Sequence, residues 1–113
     1  MNAQQQIDEL NANIKELQEL VDLGKSLDAL RKNRHFKKVI EKGYLEDEAI
    51  RLVHLKGNDN VQEGRQQTSI DKQINSIGCF VDYLDMVALR AEGAQEAIDE
   101  CEDARADLEM EAD

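Results

Sequence analysis

Apolar side chains recur at spacings of three and four residues through residues 7–30 of the chain. This spacing places them on one face of an α-helix and predicts a first long helix over residues 3–33. We name this face the N-terminal seam: Ile7, Leu10, Ile14 and Leu17, continuing to Val21. A second set, Leu20, Leu23, Leu27 and Leu30, lies one position out of phase, so we expect the seam to shift near Leu20.

The pattern changes over residues 34–57, where short apolar clusters alternate with charged residues. Asn33 is suited to cap a short helix, and Gly43 is suited to end it. Another short helix should follow and end at Gly57, which opens the loop-forming run Gly-Asn-Asp-Asn. These residues predict a short helical elbow.

A strict heptad pattern in the last part of the chain predicts a second long helix over residues 61–110. Its apolar residues alternate four and three, the spacing of the a and d positions in coiled coils. Repeated isoleucine at such positions is compatible with a dimer and with larger assemblies. We therefore expect this face to mediate oligomerisation and name it the C-terminal seam: Ile70, Ile74, Ile77, Val81, Leu84 and Ala88.

Together these parts predict an all-α fold in one helical unit, residues 1–113. The expected form is an extended helical hairpin with two long amphipathic helices, a short helical elbow and coiled-coil-like packing. The chain has no Pro, no Trp and only 4% aromatic residues, a composition that suits long helices with narrow apolar stripes. Because isolated helices gain little stability from propensity alone, these helices must pair. The sequence leaves open whether they pair in parallel or antiparallel fashion, and with how many copies.

Charge is unevenly distributed in this chain of formal net charge −11. Residues 31–42 carry six cations and one carboxylate, whereas residues 99–113 carry eight carboxylates and one cation. Each group is either a solvated face or a docking surface, and opposite charges would mainly set orientation and association rate. The basic docking patch is Arg31, Lys32, Arg34, Lys37, Lys38 and Lys42; the acidic tail is Asp99, Glu100, Glu102, Asp103, Asp107 and Glu109, followed by Glu111 and Asp113.

No motif for catalysis, a cofactor or a metal is found, so we expect a non-enzymatic protein. The six glycines occur singly, without the spacing of phosphate-binding loops. His35 and His54 lack a metal-binding pattern, and Cys79 and Cys101 match no zinc or redox spacing. We expect both cysteines to be buried as small apolar residues. Without a signal peptide or long apolar run, a reducing compartment without membrane contact is expected.

The stretch from Arg31 to Tyr44, continuing from Glu48 to Val53, resembles small acidic helical proteins encoded by tailed bacteriophages. The likeness extends to Ile70–Leu84 and so covers about half of the chain. It implies a phage origin, a location in the host cytoplasm or the virion, and a role in virion structure or head assembly.

The leading hypothesis is a structural or assembly protein that oligomerises through helical seams and docks on larger protein surfaces in a phage particle. Its partners would be further copies of itself and phage structural proteins. The alternative is a regulatory binder, either a small DNA-packaging subunit or an inhibitor of a host nucleic-acid enzyme. Residues 36–55 could form a helix-turn-helix, but its second helix would carry only Arg51, His54 and Lys56 as basic groups. Nucleic-acid binding is therefore not favoured, since phosphate also repels a negative chain.

Overall fold

The computed structural model describes residues 2–112, of which 95% are helical and none forms a strand. The expected all-α class is confirmed. Helix α1 is Ala3–Lys32; α2, Arg34–Phe36, leads directly into a π-helical segment, Lys37–Glu48, and then into α3, Ala49–Lys56. A 3-10 turn, Asp59–Val61, precedes α4, Gly64–Ala112.

The contacts within the chain define two compact units. Unit 1 combines Met1–Leu27 with Met86–Asp113, and unit 2 is Asp28–Asp85. The elbow predicted over residues 34–57 therefore lies wholly within unit 2, whereas α1 and α4 each contribute residues to both units.

Unit 1 is a pair of antiparallel helices. Val21 of α1 is buried with Ala94 and Ile98 of α4. Farther along the pair, Arg105 Nη1 donates a hydrogen bond of 2.8 Å to Asn11 Oδ1. Residue numbers thus fall along α4 as they rise along α1, which is a hairpin-like arrangement. The residues that pack around this small core are Ile14, Leu17 and Leu20.

The buried positions of α1 are Val21, Gly24 and Leu27, the last of which belongs to the out-of-phase set. Val21 and Gly24 are buried, whereas Leu23 and Leu30 are 45% and 44% exposed. Because Leu27 is buried and the in-phase residue Asp28 is exposed, the buried face does shift to the out-of-phase set, as the sequence predicts. Gly24 holds the seam position because it lacks a side chain: a β-carbon there would overlap the β-carbon of Ala91 on α4.

The out-of-phase leucines differ in burial: Leu27 is buried and Leu20 packs against the unit 1 core, whereas Leu23 and Leu30 are almost half exposed. They recur at spacings of three, four and three residues, which is helical spacing. We name this face the leucine stripe; it comprises Leu20, Leu23, Leu27 and Leu30. Helix α1 therefore carries two exposed leucines, Leu23 and Leu30, beside its buried residues.

The core of unit 2 lies between the elbow and the first part of α4. Leu52 is completely buried there, against Ile70 and Ile77. The rings of Tyr44 and Phe80 meet edge to face, with centroids 5.9 Å apart and an interplanar angle of 80°. Other partly buried side chains around this core are Leu45, Ala49, Leu55, Val61 and Ile74.

The first part of the C-terminal seam, Ile70, Ile74 and Ile77, packs within this intramolecular core, and the role of the seam as an oligomer interface stays a prediction. Side chains such as Ile70 and Ile77, already buried within one chain, offer little apolar surface to a second copy. The heptad also breaks at Ala88, which is exposed, while Val87 is buried. Helix α4 packs against the elbow in unit 2 and against α1 in unit 1. Its buried residues therefore do not follow a single heptad register along the helix.

The elbow begins as expected but continues differently. Asn33 is extended (φ −74°, ψ 127°), and its side chain accepts hydrogen bonds from the amides of His35 and Phe36, so the predicted cap is confirmed. Gly43 does not end a helix: it lies inside the π-helical segment, and none of residues 2–112 has positive φ. No turn divides residues 36–55, which removes the geometry of a helix-turn-helix.

The wider turn of the π-helical segment is visible in its side chains. Lys42 Nζ contacts Glu46 Oε1 at 3.0 Å and Asp47 Oδ1 at 3.2 Å, four and five residues ahead. Reaching both suits i→i+5 geometry, in which residues four and five apart share a face. The elbow ends at Gly57, as predicted, where the glycine amide donates to the carbonyls of Val53 and Leu55.

Replacing Asn33 by alanine should lower the free energy of unfolding by about 1 kcal/mol, because two helix amides lose their capping acceptor. Urea denaturation followed by circular dichroism would measure the loss. Asn75→Ala is the matched control, since Asn75 is exposed within α4 and alanine favours a helix there. Equal losses in the two variants would contradict the capping role.

Candidate interaction surface

The basic patch lies on three consecutive elements of unit 2. Arg31 and Lys32 end α1, Arg34 begins α2, and the remaining lysines lie in the π-helical segment. All six cations are exposed except Arg31, which is half-buried. The lysines of the π-helical segment are Lys37, Lys38 and Lys42.

One cation of the patch is already partnered within the chain. Hydrogen bonds from Lys42 to the carboxylates of Glu46 and Asp47 raise the pKa of Lys42 above its ordinary value. Within residues 28–85, no carboxylate lies at ion-pair distance from the other five patch cations. The positive charge of this surface therefore remains available to an anionic partner.

The acidic tail is helical and exposed along α4. Its one interaction within unit 1, over described residues 86–112, is a hydrogen bond of 3.1 Å from Gln95 Nε2 to Asp99 Oδ1. Arg105, the one cation among residues 99–113, donates to Asn11 instead, so it does not neutralise the tail. Asp113 lies outside the described residues.

The leucine stripe combines apolar side chains with opposite charges at its two ends. Glu19 precedes the stripe and is exposed, and Arg31 follows it. Next to the stripe, in unit 1, is a shallow groove of about 260 Å³. Its lining residues are Asn13, Glu16, Leu17, Leu20 and Cys101.

A second exposed apolar area lies on the outer face of α3. Ile50 and Val53 are half or more exposed and, with Ala49 and His54, line a groove of about 250 Å³. Beside it, Arg51 pairs with Glu48 at 2.5 Å; this hydrogen bond lowers the pKa of Glu48 and raises that of Arg51.

The cysteine expectation is partly wrong. Cys79 is exposed and Cys101 is half-buried, and both thiols are free. Cys79 points away from the buried positions of α4, of which Ile77 is the nearest. In the part of the chain that the structure describes, no three His, Cys, Asp or Glu side chains are grouped to hold a metal ion. No helix among residues 2–112 is long and apolar enough to cross a membrane.

No protein-family description matches this chain, and no curated protein or solved structure is significantly similar to it. The surface is therefore interpreted from its own geometry. Sequence reasoning located both charged groups but treated the leucine stripe as part of the seam. On α3, Val53 is 60% exposed although it lies in an apolar run. Neighbouring apolar residues at helical spacing were the only sequence signal for these two faces.

Proposed function

We propose that this chain is a non-enzymatic assembly protein that associates with further helices through exposed leucines of α1. The observation that carries the proposal is the exposure of two large leucines on a helix whose other apolar residues are covered. The N-terminal seam is covered by α4 within unit 1, whereas Leu23 and Leu30 remain almost half exposed. An amphipathic helix with exposed leucines beside its covered apolar face can pack against a further helix.

Self-association would add helix–helix packing of the coiled-coil type between chains to the helix packing within one chain. Each additional leucine that becomes fully buried contributes about 1–2 kcal/mol, since roughly half of its transfer energy remains to be gained. The outer face of α3 and the basic patch would stay open for docking on a larger protein. A place in a tailed-phage particle remains a proposal that rests on the resemblance alone.

Sedimentation equilibrium on the full chain tests self-association. The wild-type protein should show a mass that is a multiple of 12.8 kDa. Leu23→Glu with Leu30→Glu should give a monomer that keeps its helical circular dichroism, because both side chains are almost half exposed. Leu89→Glu is the matched control: Leu89 is 70% exposed on α4 and lies off the stripe, so its substitution should leave the mass unchanged. A wild-type monomer at every concentration would reject the proposal.

Nucleic-acid binding is the second candidate function, and the five unpaired cations of the basic patch favour it. A chain of net charge −11 would bind phosphate only where positive charge is concentrated. Retention of the protein on a DNA column at moderate salt, abolished by Lys37→Gln with Lys38→Gln, would support a packaging role. Flow-through of the wild-type protein would leave the assembly role as the better explanation.

A further inference from the structure

The net charge of the chain belongs entirely to one of its two units. Unit 1 contains fifteen carboxylates and four cations, whereas unit 2 contains ten of each and is neutral as a whole. Contact between unit 1 of two copies has to overcome the repulsion of like charges. Contact between unit 1 of one copy and unit 2 of another meets no such net repulsion, so charge favours the pairing of unlike units.

Four carboxylates of unit 1 form a continuous row on the outer side of α4. They recur at spacings of four, three and four residues, which keeps them on one side of the helix. The buried residues Ala94 and Ile98 lie on the opposite side, toward α1. All four carboxylates are exposed, and none forms a hydrogen bond or ion pair with any of residues 2–112. We name them the acidic row: Glu96, Glu100, Asp103 and Asp107.

The acidic row ends in an apolar side chain. Met110 follows Asp107 at helical spacing and is 76% exposed. Because carboxylates four residues apart on a helix repel each other, cations placed against the row would stabilise it. The outer side of α4 therefore suits a surface on which cations are followed by an apolar groove.

Unit 2 has such a surface on the continuous helical run from residue 34 to residue 56. Residues four and five positions apart share a face of the π-helical segment, so Lys37 and Lys38 lie on the face of Lys42. Steps of four residues from Lys42 reach Ile50 and His54, which line the groove of α3. We name this surface the elbow face: Lys37, Lys38, Ile50, Val53 and His54.

We infer that the acidic row of one copy docks on the elbow face of a second copy, with Met110 in the groove of α3. The carboxylates then meet Lys37 and Lys38, which have no ion-pair partner in unit 2. Different surfaces of the two copies meet, so the contact is heterologous and can repeat from copy to copy. It goes beyond the leucine contact of the proposed function and uses none of its residues.

The docking is tested in a chain from which the leucine contact has been removed. Leu23→Gln with Leu30→Gln replaces both exposed leucines without adding charge, so this background chain keeps only the charged contact. Its sedimentation equilibrium at low ionic strength should still give masses above 12.8 kDa. Salt at about 1 M should weaken the association, because a Debye length of about 3 Å screens exposed charges.

Two variants of the background chain each remove one side of the contact. Lys37→Gln with Lys38→Gln neutralises the cations of the elbow face. Asp103→Asn with Asp107→Asn neutralises half of the acidic row. Each variant should weaken self-association at least about tenfold in dissociation constant, because two ion pairs are lost. An equimolar mixture should form a one-to-one dimer with the affinity of the background chain, since the intact row of one variant meets the intact elbow face of the other.

Matched controls remove the same number of charges from other surfaces. Glu102→Gln with Glu109→Gln acts on the side of α4 nearer α1, because Glu102 follows the buried Ile98 by four residues. Arg65→Gln with Lys72→Gln removes two exposed cations of unit 2 that lie on α4, off the elbow face. Both controls should stay within about threefold of the background chain in dissociation constant. Far-UV circular dichroism of every variant establishes that the helices are intact.

The outcomes separate this inference from the proposed function. A wild-type monomer overturns both. A wild-type oligomer whose background chain is monomeric overturns the charged contact and keeps the leucine contact. A mixture of the two neutralised variants that stays monomeric overturns docking between copies, and equal weakening by the controls overturns the assigned surfaces. A one-to-one dimer in the mixture, with both controls associating like the background chain, establishes the inferred contact.

Discussion

Leu52→Ala should lower the free energy of unfolding by about 2–5 kcal/mol, one of the largest single losses expected in this chain. Leu52 is the one completely buried large side chain among the described residues, and it fills the space between α3 and α4 in unit 2. Truncation removes buried apolar surface and leaves a cavity that the surrounding helices cannot fully close. Urea denaturation followed by circular dichroism would measure the loss.

Val53→Ala provides the comparison for Leu52→Ala. Val53 is the next residue of the same helix, but its side chain is largely exposed, so its truncation should change stability by less than about 0.5 kcal/mol. A loss at Val53 as large as that at Leu52 would mean that the outer face of α3, not its inner face, contributes to the core.

Gly24→Ala should destabilise the chain by about 1–3 kcal/mol, although alanine is the better helix former. A β-carbon at position 24 would overlap that of Ala91, so α1 and α4 would have to separate in unit 1. The loss of close packing should exceed the gain of about 1 kcal/mol in helix propensity. Thermal or urea denaturation would show the sign of the change.

Two further variants isolate the steric cause of that loss. Gly24→Ala combined with Ala91→Gly should restore stability to near that of the wild type, since the β-carbon is moved from one helix to the other. Gly78→Ala should stabilise by about 0.5–1 kcal/mol, because no atom lies within 4 Å of a β-carbon built there. Stabilisation by Gly24→Ala alone would show that the two helices do not approach so closely.

The features that the sequence predicted well are those controlled by nearby residues. Asn33 caps a helix with its own side chain, and Gly57 ends α3 with hydrogen bonds to residues two and four positions earlier. Such signals act over a single helical turn and can be recognised without knowing the partner helix. Gly43 gave the same local signal for a helix end as Gly57, but the π-helical segment continues through it. Ion pairs from Lys42 to Glu46 and Asp47 in the next turn stabilise this continuation.

The choice of buried face could not be predicted locally, because it depends on which helix lies opposite. In α1 the leucines are larger and more apolar than Gly24, so composition favours a seam through Leu23. The close approach of Ala91 reverses this choice, since only a glycine admits it. In α4, Ala88 fits the heptad, yet Val87 is the buried residue.

The candidate surface likewise has features that the sequence predicted and features that it could not predict. Counting charges along the chain located the basic patch and the acidic tail, because their residues are consecutive or nearly so. It could not show that Lys42 is neutralised by Glu46 and Asp47 or that Arg105 is directed to Asn11, since both depend on side-chain positions. The identities of the protein partners remain predictions.

The packing of Tyr44 on Phe80 gives the chain an internal optical reporter. All four aromatic residues, Phe36, Tyr44, Phe80 and Tyr83, belong to unit 2, and residues 1–27 and 86–113 contain none. Near-ultraviolet dichroism and tyrosine emission are therefore blind to unit 1, whereas far-ultraviolet dichroism registers the helices of both units. A melting curve recorded in both spectral regions would reveal, without any label, whether the two units unfold in one step or separately.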